Sequence, residues 1–93
     1  MIVGVLRVDL MIYDALTLKD KRRVLLSVKQ RIRNRFNVSV AEVEHANARQ
    51  RSTLGLAVVS NERRAVESQL DQVVDLLRRH PQLSLLEYER DIY

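Results

Sequence analysis

His45 stands among Glu42, Glu44 and Asn47, an imidazole beside carboxylates, which is a combination that can relay a proton or ligate a metal ion. No second strong ligand follows at a spacing that would make these groups converge. The run fits a hairpin loop carrying an ordinary surface histidine better. His80 precedes the single proline, Pro81, at the expected end of a helix, where a cationic or capping role is usual. The spacings of a Ser/His/Asp triad, a phosphate-binding glycine loop or a zinc site are absent. Without cysteine there is neither a disulfide framework nor a thiolate metal site, which fits a reducing compartment. No catalytic residue, metal ligand, cofactor or small-molecule substrate is expected, and the chain reads as non-enzymatic.

The cations offer more. Lys19, Lys21, Arg22, Arg23, Lys29, Arg31, Arg33 and Arg35 fall on one predicted helix, Lys19 to Phe36, against the single Asp20, so that helix is net +7. Subtracting this from the chain's +4 leaves −3 for everything else. The molecule is an acidic body with one basic edge, a candidate surface for a polyanion. Arg22, Arg23, Lys29 and Arg33 are the expected phosphate contacts, with Lys19 and Lys21 at the helix start. Cations in a first helical turn are disfavoured by about 0.3–1 kcal/mol each. Such a cluster makes sense where phosphates meet that end, with free helix amides adding donors. Two other readings are a merely solvated face and neutralisation by Glu67, Asp71 and Asp75 of a second helix. The aromatics, Tyr13, Phe36, Tyr88 and Tyr93, supply no base-stacking pair. RNA, or a ribosomal particle, would therefore be met through backbone and shape, with Phe36 in the core and Tyr13 exposed.

The elements that position these residues follow from apolar periodicity. Ile2 to Ile12 reads as a central strand, with Ile2, Leu6, Val8, Leu10 and Ile12 on one face and Val3, Val5 and Met11 on the other. Thr17 with Asp20 resembles a capping box ahead of the seam Val24, Leu25, Val28, Ile32 and Phe36. Val38 to Glu44 is a second strand of ambiguous parity, with a bulge expected near Val40. After a polar loop, His45 to Gln50, Leu54, Leu56 and Val58 alternate with small residues as a third strand that pairs with the second. Ser60 and Asn61 suit the cap of a helix from Glu62 to Arg79, and Leu83 to Ile92 supplies the last strand. The order βαββαβ favours an α+β, ferredoxin-like sandwich, a four-stranded antiparallel sheet with both helices on one face.

That architecture has two consequences. Acylphosphatases share it, but they need a glycine-rich loop after the first strand, and here the loop is Tyr13 to Thr17, without glycine and with Asp14 where donors are needed. The sheet face away from the helices displays Val3, Val5, Met11, Ala57 and Val59, an apolar patch that predicts protein docking, with a homodimer first and Arg7 and Asp9 pairing across its axis. A protein-interaction module working through that face is the alternative to RNA binding. At 93 residues the chain fits one domain, and its 46% apolar and 30% charged content is ordinary for a globule. Arg7 and Asp9 interrupt its longest apolar stretch, so neither a signal peptide nor a membrane span is expected and a cytoplasmic location is the default.

The runs Leu18 to Leu25, Arg33 to Val43 and Thr53 to Asn61, in this order, resemble the YlxP-like family of small bacterial proteins across nearly the full chain. The resemblance implies a ferredoxin-like fold in a cytoplasmic bacterial protein whose gene often neighbours those of translation initiation and ribosome maturation. It supplies no catalytic residues. The loop His45 to Arg51 departs from the family pattern, in which an acid and an aromatic precede the Gln; here Asn47 and Arg49 stand at those positions, and Arg49 and Arg51 add positive charge.

Overall fold

The computed structural model describes all 93 residues. The order is β1 (Ile2–Ile12), α1 (Leu18–Arg35), β2 (Val38–Glu44), β3 (Arg51–Ser60), α2 (Arg63–Arg79) and β4 (Leu83–Ile92). The strands form one antiparallel sheet in the order β2-β3-β1-β4, which is the ferredoxin-like arrangement. α2 lies over β4, β1 and β3 and α1 lies over β2, leaving the other sheet face open.

Side-chain alternation explains the layering. Leu6, Val8, Leu10 and Ile12 are fully buried beneath the helices, joined by Leu54, Leu56 and Val58 from β3 and Val40 from β2. From α1 come Leu25, Val28 and Ile32, and from α2 Val66, Leu70, Val73 and Leu77, so each helix buries one stripe in a single core of 20 residues. Burying each of these side chains fully contributes about 1.5–3 kcal/mol. Phe36 belongs to the same core. Gly4 marks a close approach of sheet and helix, because a Cβ there would come within 2.4 Å of Val66 Cγ1 on α2.

Three local expectations change. The irregularity in β2 falls between Glu42 and Glu44, not near Val40, which leaves Val38, Val40 and Glu42 facing inward and frees Val43 to lean over Gly55. β3 is longer than the alternation from Thr53 to Val59 indicated, because Arg51, Ser52 and Ser60 also pair with β1. The N-cap of α2 is Glu62, without a side-chain cap bond, although Ser60 Oγ accepts from the Glu62 amide at 3.2 Å.

Candidate nucleic-acid interface

α1 begins as its sequence dictates. Thr17 Oγ1 accepts from the Asp20 amide at 3.1 Å and the Asp20 carboxylate accepts from the Thr17 amide at 3.2 Å, a reciprocal cap. The cap takes up the Asp20 amide and sets a carboxylate at the end where phosphate is expected.

Seven of the eight α1 cations, Lys19, Arg22, Arg23, Lys29, Arg31, Arg33 and Arg35, reach solvent, Lys29 being half-buried. None of the seven takes part in an ion pair; the four ion pairs of the chain are Arg7–Glu44, Lys21–Glu42, Arg63–Glu67 and Arg90–Asp71. The α2 carboxylates therefore do not answer α1: Glu67 is held by Arg63 on its own helix and Asp71 by Arg90 of β4.

Helical geometry divides the seven. Arg22, Leu26, Lys29 and Arg33 share the flank beside β2, where Arg33 Nη2 donates to the Val40 carbonyl at 2.9 Å. Lys19 and Arg23 lie toward the crest. Lys19 to Arg33 spans about 21 Å at the helical rise. Arg31 and Arg35 face α2, where Arg35 shares a notch with Gln72, Asp75 and Arg79.

Lys21 is the eighth, and its assignment as a phosphate contact is corrected. It is 0% exposed. Its Nζ donates to Glu42 Oε2 at 3.0 Å and to the carbonyls of His45, Ala46 and Arg51 at 2.8, 3.1 and 3.3 Å. Ser52, also buried, donates to the same Glu42 oxygen at 2.6 Å. The side chain enters the sandwich because position 21 is one turn before Leu25, in line with the apolar seam. Its charge is tolerated because a carboxylate and three carbonyls surround it. The seam position of Lys21 and the inward parity of Glu42 on β2 were the sequence signals for this pairing.

Lys21 thus ties the β2–β3 loop to the start of α1, and Arg49 Nη1 donates to the Leu16 carbonyl at 3.3 Å in the same place. Ala15, Leu16, Arg49 and Gln50 line a cleft of about 370 Å³ there. Exposed Arg49 extends the positive surface past the helix start.

The histidines do not make a site. His45 is exposed in a left-handed backbone conformation (φ 63°), while Glu42 points inward to Lys21 and Glu44 out to Arg7. His80 is buried and its Nδ1 accepts from the Gln82 amide at 3.1 Å. Burial, and next the charge of Arg31, push its imidazole below the ordinary histidine value, so it closes the turn after α2 as a neutral ring and not as a cation.

On the open sheet face Val3 pairs with Val59 and Val5 with Ala57, so four of the expected interface residues are contiguous. Met11 is cut off from them. Between lie Arg7, whose Nη2 donates to Glu44 Oε2 at 2.7 Å, and Asp9, which accepts from Thr53 Oγ1 at 2.6 Å. Arg7 and Asp9 are therefore satisfied within the chain and do not await a symmetry mate.

The family model described as Protein of unknown function (DUF503) matches residues 3–90. The uncharacterized protein YlxP of Bacillus subtilis (strain 168) is 36% identical over 81 residues, covering 87% of this chain and 88% of its own.

Proposed function

The chain belongs to the DUF503 family of proteins of unknown function, and since membership brings no activity with it, we propose from the chain's own surface a non-enzymatic, cytoplasmic RNA- or ribonucleoprotein-binding role served by α1. The observation that carries this is the group of five α1 cations on the flank and crest, Lys19, Arg22, Arg23, Lys29 and Arg33, which reach solvent with no carboxylate partner. A positive rod about 21 Å long from Lys19 to Arg33 suits the phosphates of a folded RNA. Recognition is by backbone and shape, because the strands display no pair of aromatics for stacking. A role in translation or ribosome maturation is the natural setting for such a protein.

The test is binding to a structured RNA at two salt concentrations, with the native chain and an Arg22→Glu/Lys29→Glu/Arg33→Glu variant. If Lys19, Arg22, Arg23, Lys29 and Arg33 each neutralise one phosphate, affinity falls by roughly two to three orders of magnitude between about 50 and 200 mM salt. The variant loses most affinity and its log–log salt slope shrinks by about 2–3. Binding that ignores salt, or that the variant retains, overturns the proposal.

A further inference from the structure

The open sheet face has a second charge pattern. Asp91, Glu89 and Glu87 of β4 stand directly opposite Val5, Arg7 and Asp9 of β1 and so share their face. With Asp9 and Glu44 this makes five carboxylates, against two cations, Arg7 in their midst and exposed Arg51 opposite Met11 at the far end of β3. Glu87, Glu89 and Asp91 are exposed and carry no ion pair.

Beside this row runs an apolar slot of about 250 Å³. Gly55, Ala57, Ala41 and Ser39 form its low floor, and Val5 and Val43 its walls. The floor stays low because Gly55 has no side chain; a Cβ there would press on Val43 Cγ1 at 3.0 Å. The Arg7–Glu44 ion pair crosses from β1 to β2 over β3 and closes one end.

We propose that this face docks a basic protein segment, one that places a leucine, isoleucine or methionine in the slot and lysines or arginines on the β4 row. The spacing fits: β4 lies two strands from β3, so the carboxylates stand about 10 Å from the slot floor. Helix neighbours three or four residues apart, about 5–6 Å, with the length of a lysine or arginine side chain, cover that distance. Charge decides against the other occupants. A second copy laid face to face sets the carboxylate row either on its twin or over β2, whose outward residues Ser39, Ala41 and Glu44 include no cation, and a nucleic acid meets the same row with its phosphates. The proposal stands independently of the reading of α1, which faces the opposite way.

The probes are a short helical lysine–alanine peptide with a central leucine pair, the same peptide with those leucines replaced by alanine, and the same with its lysines replaced by glutamate. The leucine peptide binds the full chain, and either replacement weakens it about tenfold or more. Glu87→Gln/Glu89→Gln/Asp91→Asn weakens it roughly tenfold, as three rim charges of about twofold each imply. Ala41→Phe, an exposed position that fills the slot, does the same, while RNA binding through α1 is unchanged in both variants. The proposal is overturned if the alanine peptide binds as well as the leucine one or if both variants bind as the native chain does. It is equally overturned if the native chain sediments as a dimer that Ala41→Phe converts to monomer, since the occupant is then a second copy.

Discussion

Replacing Lys21 by methionine keeps the stem of the side chain and removes its charge and its donors. Four oxygens lose the ammonium at once: Glu42 Oε2, which keeps the Ser52 hydroxyl, the His45 carbonyl, which keeps the Ala48 amide, and the carbonyls of Ala46 and Arg51. Leaving one member of a buried pair alone costs about 3–5 kcal/mol. Glu42 is 18% exposed at its side chain and can draw in water, which points to the lower end, about 3 kcal/mol. For a domain of this size that lowers Tm by roughly 12–24 °C. Urea and thermal melts of Lys21→Met, Glu42→Leu and the double variant measure it, with the double variant more stable than the sum of single losses by at least about 1 kcal/mol. Arg22→Met, the next residue but exposed, stays within about 0.5 kcal/mol of the native chain. A Lys21→Met variant as stable as Arg22→Met would refute the reasoning, because the cluster would then be held by packing alone.

Two further outcomes follow from packing and protonation. Gly4→Ala brings a methyl to 2.4 Å from Val66 Cγ1, so it destabilises by about 1–3 kcal/mol in melts, and Gly4→Ala/Val66→Ala recovers part of that. The lowered value of His80 means that the unfolded chain binds its proton first; its contribution to stability is present above about pH 6.5 and is lost as pH falls through the folded value. Melts across that window show stability declining on acidification, and His80→Asn, which keeps an acceptor for the Gln82 amide, shows a smaller decline.

Periodicity carries most of the architecture because each element buries one stripe or one parity. Leu25, Val28 and Ile32 declare the inner side of α1, and Thr17 with Asp20 declares its start, from residues adjacent in the chain. What depends on residues far apart is harder to read. Lys21, Glu42 and Ser52 form one cluster across three elements, and a lysine beside Arg22 and Arg23 groups with them by charge although its place in the seam sets it apart. The acidic row on the open face was hidden for a similar reason. Glu87, Glu89 and Asp91 look like ordinary solvent positions of an edge strand until the register sets them opposite Arg7 and its neighbours.

The separation of charge onto the two sides of the sandwich gives the molecule an electrical axis across its thin dimension, 18–20 Å. Near a polyanion that axis feels a torque before any contact forms, within the final Debye length or so of about 8 Å at physiological salt. On the proposed reading of α1, the protein would land helices first, in one pose rather than many. The sheet would then be turned outward to whatever approaches next, so that a small two-layer fold becomes a plaque with a fixed front and back.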